Sequence, residues 1–280
     1  MTTVAIPIVN TEQRQFYDQV VSVTKDATER IATFPQKSPA WLKARKGRLT
    51  ASNFGAAAGH NPYCTPRQLL KQMIWSGSFE GNEATRYGTN EEPVACKIYF
   101  TFLRQHHPDA RIEHPNLLIS STEPHLGCSP DGVVTINGVR FLLEIKCPFK
   151  KSFYGKIPPY YYDQITGMMA LLHLPFTDFV VKCPHSTNVQ RYVFNSAYWE
   201  KELKPALDQF YFQQLLPRLV WKEQGKLENG ELEPVIRISS SLHQPKITSM
   251  LVVAADKKEQ EHKTQQSSSS RALQPQFNFS

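Results

Sequence analysis

Two apolar runs joined by Asn137-Gly138, GVVTI before it and VRFLLEIKC after it, constrain this chain more than any other stretch. Asn-Gly suits the left-handed backbone of a two-residue type I′ turn, so the segment is expected to form a β-hairpin. FLLEI is nearly all apolar, as a strand buried inside a sheet requires. Yet the second run carries Glu144 and Lys146 two positions apart, which places both on one face of the strand. Asp131 stands at the entrance to the first run. An acid and a lysine on an otherwise apolar strand are expensive to bury without a purpose.

Around the hairpin the period changes to that of helices. Phe16, Val20, Val23, Ala27 and Ile31 recur at spacings of three and four, predicting an amphipathic helix over 11–34. Thr65-Pro66 with Gln68 reads as a capped helix start, and Leu69, Leu70, Met73 and Ile74 supply its buried face. Further helices are expected from near Asn90 to Leu103, from Tyr160 to Leu172, and from Ser196 to about Leu216. FVVKC and QRYVF read as strands. The order predicts a mixed α/β domain with a central sheet.

The chain divides, on this reading, into an N-terminal helical segment (1–38), a main domain (39–220) and a low-complexity tail (237–280), interrupted only by MLVVAA and expected to lack structure. Lys and Arg number 32 against 25 Asp and Glu, a net charge of +7 that favours a polyanionic partner such as nucleic acid; a charge serving only solubility is the alternative. No run approaches the length of a membrane span, so a membrane partner is not expected. MTTVAIPIVNTEQR does not read as a secretory signal. Five cysteines without a CxxC pair point to reduced thiols and an intracellular setting. His60 and His106-His107 lack zinc-site spacing and read as exposed or structural.

Two converging carboxylates, Asp131 and Glu144, make an oxygen-ligand site for a hard cation such as Mg²⁺. An ion there could polarise a phosphoryl oxygen and lower the pKa of a bound water. Lys146 beside it could orient or help deprotonate that water. The plain alternative is a buried Glu144–Lys146 pair with Asp131 as an ordinary turn residue.

Pro130-Asp131, twelve residues, then Glu144-Ile145-Lys146 resembles the PD-(D/E)xK nuclease signature. Three further stretches narrow the resemblance to the lambda-exonuclease and YqaJ-type viral recombinase branch. They are Trp41 to Ser52 (W-x3-R-x-G-x2-T-A-S), Gly88 to Ala95, and Tyr162 to Met169 (Y-x-Q-x2-G-x-M). Four blocks in the family's order are specific where any one would be weak. In one place the pattern departs: Tyr87 separates Arg86 from Gly88 where the branch has Arg-Gly.

The resemblance implies a restriction-endonuclease-like core, a mixed sheet flanked by helices. It implies that Glu92, Asp131, Glu144 and the Ile145 carbonyl bind Mg²⁺, with Mn²⁺ as a substitute, that Lys146 assists the attacking water, and that Gln164 orients groups beside it. Arg45 and Ser52 match positions that hold a terminal 5′ phosphate, a task suited to a guanidinium fork. Lys43, Lys46 and Arg48 are expected to meet DNA backbone or solvent, and Tyr160, Tyr161 and Tyr162 either stack on bases or pack. The implied activity is a 5′→3′ exonuclease on double-stranded DNA in recombination or repair. A homotrimeric ring and a single-strand-annealing partner are implied with it. The location would be nuclear in a eukaryotic host and otherwise cytoplasmic or viral. An endonuclease with the same core and a catalytically silent DNA-binding protein are the rival readings.

Overall fold

The computed structural model describes residues 10–21, 35, 38–75, 82–149, 155–227 and 249–255. The hairpin forms as the turn chemistry requires. Strands β5 (Gly132–Ile136) and β6 (Val139–Lys146) pair antiparallel, and Asn137 and Gly138 take φ of 49° and 78°. They lie inside a six-stranded sheet. β2 (Arg111–Glu113) flanks β5, and β6 continues in parallel to β7 (Phe176–Lys182). Beyond β7 come β8 (Ser186–Val193) and β9 (Ser249–Ala255), both antiparallel to their neighbours. A smaller sheet joins β1 (Leu49–Thr50), β4 (Leu126–Cys128) and β3 (Leu118–Ile119) in that order.

Strand alternation splits β6 between two cores. Leu142 joins Phe54, Ile165 and Phe179 on one face, while Phe141, Leu143 and Ile145 join Tyr99 and Val180 on the other. Helix α1 (Thr11–Phe16) runs into a π turn (Tyr17–Val21), whose Tyr17 and Val21 are buried in the first core. The described part of the expected N-terminal helix therefore packs into the main domain; its continuation over 22–34 lies outside the described residues. Helices α2 (Pro39–Arg45), α3 (Phe54–Ala57) and α4 (Pro66–Trp75) follow. At α4, Thr65 Oγ1 accepts the Gln68 N–H (3.2 Å) and Gln68 Oε1 accepts the Thr65 N–H (2.8 Å), the reciprocal cap the sequence predicts.

Three expectations are corrected. The helix expected from Asn90 begins two turns earlier, as α5 (Glu83–His106), because Asn82 caps it by accepting the Thr85 N–H at 2.9 Å; Pro93 is tolerated inside. The helix after Ser196, here α7, continues to Glu223, alternating α turns with π turns at Trp199–Leu203 and Tyr211–Leu215. Each π turn directly precedes a Lys-Pro or Leu-Pro step, where the proline ring would crowd the carbonyl of an ordinary turn. Finally, the MLVVAA run in the segment expected to lack structure is strand β9, closing one edge of the six-stranded sheet. A short run rich in β-branched residues pairs readily with an open edge. Residues 256–280 of that segment lie outside the described residues.

Candidate active site

Register puts the motif residues together. Gly132 pairs with Leu143, so Asp131 falls opposite Glu144, one step past the last ladder pair. Asp131 Oδ2 accepts the Ile145 N–H at 2.7 Å, and the Asp131 carbonyl receives the His114 ring nitrogen at 2.6 Å. Glu144 is 1% exposed. Its Oε1 accepts both Lys146 Nζ and Gln164 Nε2, each at 2.6 Å, while its Oε2 is buried with no hydrogen-bond partner. Gln164 arrives from α6 (Pro159–Leu172), the crossover helix between β6 and β7.

The electrostatics follow from burial. Glu144 is pushed up to about 8, first by burial and then by the Asp131 charge, which Lys146 and Gln164 only partly offset. Asp131 is raised too, by burial and by the Glu92 charge, against the pull of Lys146 and the Ile145 N–H. Lys146 moves upward although burial opposes it, because Glu144, Tyr161 and Asp131 favour its charged form. Two carboxyls facing one ammonium leave the site short of positive charge. An unpartnered carboxylate oxygen and hard oxygen donors are what a divalent cation fits.

Glu92 lies on α5 and is exposed, near enough that its charge raises Asp131. Among the described residues no three His, Cys, Asp or Glu side chains stand close enough to hold one ion between them. Its neighbour Glu91 pairs instead with Lys182 Nζ at 2.5 Å. Ile145 buries its side chain at 5% exposure in the second core.

Arg45 ends α2. Its guanidinium lies 4.2 Å over the Trp41 ring and donates to Thr50 Oγ1 at 2.7 Å, and burial alone lowers its pKa to about 10. No carboxylate pairs with it among the described residues. The Trp41 indole N–H is likewise buried and unpartnered. Ser52 is exposed in the 3₁₀ turn Ala51–Asn53 that follows β1. Lys43 and Lys46 face solvent, but Arg48 does not: it is 5% exposed and donates to the carbonyls of Val21, Ala44 and Pro124. A guanidinium with three backbone acceptors is a structural strut, which corrects the expectation of a DNA or solvent contact.

Sequence reasoning also missed the supports of α6. Asp163, fully buried, accepts the Tyr198 hydroxyl at 2.5 Å and pairs with His60 Nδ1 at 2.8 Å. A Cβ on Gly167 would come within 2.3 Å of the Phe54 ring, so α6 lies against α3 only because that position is glycine. The Gly167 of the Y-x-Q-x2-G-x-M block carried this signal, without its partner. Tyr162 packs in the core, while Tyr161 places its ring 4.8 Å from Lys146 Nζ.

A mixed sheet flanked by helices, with Asp131, Glu144 and Lys146 brought together at its central hairpin, is the arrangement that the resemblance to the PD-(D/E)xK nucleases implies. Residues 40–178 match the YqaJ-like viral recombinase domain, about half of the chain. Uncharacterized protein R354 of Acanthamoeba polyphaga mimivirus is 26% identical over 171 residues, covering 55% of this chain and 30% of that protein's length. The alkaline exonuclease LHK-Exo of Laribacter hongkongensis, solved alone and in complex with dAMP, shares the fold at TM-score 0.55 and 23% identity; the match covers 67% of this chain and 98% of that one. No described helix is long and apolar enough to cross a membrane.

Proposed function

We propose that this chain is a Mg²⁺-dependent DNA exonuclease that hydrolyses duplex ends in the 5′→3′ direction during recombination or repair. The observation that carries the reading is Glu144: both oxygens buried, one gripped by Lys146 and Gln164, the other unpartnered beside Asp131. Its fold likeness to an alkaline exonuclease and its YqaJ-like domain support the same conclusion. Asp131 and Glu144 would hold the ion, with Glu92 and the Ile145 carbonyl completing its shell. When bound, such an ion polarises the phosphoryl oxygen, lowers the pKa of water and neutralises the leaving oxygen.

The chain's own residues do the rest. Lys146 is held charged, so it serves as a hydrogen-bond donor that orients the attacking water and stabilises negative charge on phosphorus, rather than as a base. Gln164 fixes the Glu144 carboxylate so that its free oxygen keeps one direction. Arg45 and the Trp41 N–H are two desolvated donors without an anion, which favours capture of a terminal 5′ phosphate with Ser52.

Polarity tests this reading. Duplexes with 5′-phosphate ends should be degraded roughly ten- to a hundredfold faster than 5′-hydroxyl ends, since one charge-assisted hydrogen bond contributes about 1.5–3 kcal/mol. Arg45→Ala should slow phosphorylated ends to the hydroxyl rate and leave hydroxyl ends unchanged. Degradation from 3′ ends, or efficient cutting of closed circular duplex, would contradict the exonuclease assignment.

A further inference from the structure

A file of aromatic rings leads from the motif lysine to the surface. Lys146 Nζ lies 4.8 Å over Tyr161, Tyr161 sits 4.3 Å from Tyr160, and Tyr160 meets Tyr63 edge-on at 6.1 Å and 88°. Tyr63 ends the file with 72% of its surface exposed. A single exposed tyrosine would need no explanation. Here the backbone beneath both outer rings is fixed to one residue. A Cβ on Gly55 would come 2.5 Å from Tyr160 Cα, so α3 abuts the start of α6 with nothing between. The Gly55 carbonyl accepts the N–H groups of His60 (2.8 Å) and Asn61 (3.1 Å), and Asn61 Oδ1 accepts the Tyr63 N–H at 2.9 Å. The turn carrying Tyr63 and the helix start carrying Tyr160 are thus clamped together, holding the rings in a set relation.

We propose that Tyr63 and Tyr160 form a stacking platform for unpaired nucleobases of the DNA strand end held at the Asp131–Glu144–Lys146 site. The inference rests on the nuclease reading above and deepens it by assigning a second subsite. Every base has a π face, so tyrosine rings hold a strand without regard to sequence, as an end-degrading enzyme requires. The net charge of +7 is consistent with the same polyanionic strand. An enzyme that consumes duplex ends must also keep terminal bases from re-pairing, and a fixed aromatic surface joined to the motif lysine by a file of rings would do so.

The test uses full-length protein carrying Glu144→Gln, which blocks hydrolysis, with Ca²⁺ and duplexes bearing 2-aminopurine at each of the first three positions of either strand. With Tyr63 intact, or Tyr63→Phe, one position should be quenched in the complex. Tyr63→Leu should leave that base brighter at saturation and weaken DNA binding about tenfold. Unchanged melting temperatures would show that the exposed position leaves the fold intact. Equal brightness and affinity for all three proteins would overturn the platform while leaving the nuclease reading in place. Failure of the protein with intact Glu144 and Tyr63 to bind or degrade DNA would overturn the nuclease reading and the platform with it.

Discussion

At Glu144 burial and charge pull against each other, and the conflict has a measurable sign. In the unfolded chain a glutamate titrates near 4.3, whereas burial and Asp131 push the folded group up to about 8. Between those values the folded protein keeps a proton that the unfolded chain has lost, so without a divalent cation stability falls as pH rises through that window. A cation takes the place of the proton. Melting temperature measured by calorimetry should therefore drop from pH 5 to pH 8 in chelator, and Mg²⁺ should restore much more at pH 8 than at pH 5. Glu144→Gln, which carries no charge to lose, should flatten both effects. Equal Mg²⁺ shifts at the two pH values would remove Glu144 from the cation site. The motif residues Asp131, Glu144 and Lys146 were legible in the sequence because a strand's period of two and an Asn-Gly turn dictate where they converge. The role of Arg48 was not, because its acceptors Val21, Ala44 and Pro124 are backbone carbonyls brought together only by folding.

Elements whose signals are local were legible, and those decided by packing were not. The β5–β6 hairpin and the cap of α4 follow from Asn137-Gly138 and from Thr65 with Gln68. The early start of α5 was hidden because Gly88 and Pro93 disguise a helix that Asn82 begins. The strand in MLVVAA was hidden because its partner, β8, lies far away in sequence. The contact of α3 with α6 belongs to the same class, since Gly167 and Phe54 are distant in the chain. Gly167→Ala would drive a methyl into the buried Phe54 ring and should destabilise the fold by about 1–3 kcal/mol in denaturant titrations. Because α6 carries Gln164, the same substitution should also lower turnover. Wild-type stability in Gly167→Ala would mean the two helices have room the structure does not show.

Among the described residues a polar chain ties the N-terminal π turn to the segment before β4 and to α7. Tyr17 near the N-terminus meets His125 at 3.2 Å, His125 meets Asp208 on α7 at 3.1 Å, and Lys204 bridges Asp208 (2.7 Å) and Glu123 (2.8 Å). Burial raises the Asp208 carboxyl, but hydrogen bonds from His125 and Lys204 outweigh it and hold the group below the usual carboxylate range. A depressed carboxylate contributes stability that is present above its unfolded value, near 3.9, and lost as pH falls through and below it. Asp208→Asn should therefore be less stable than wild type at pH 6 and close to it at pH 3, read from urea midpoints; a constant difference would contradict the assignment. The fold this seam holds brings Asp131, Glu144 and Lys146 together. The most direct test incubates purified protein with end-labelled duplex in Mg²⁺ or chelator, alongside Glu144→Gln. Wild type should release 5′ mononucleotides in Mg²⁺ only, and Glu144→Gln should lose that release while still binding DNA. Comparable degradation by Glu144→Gln, or by wild type in chelator, would contradict the nuclease reading.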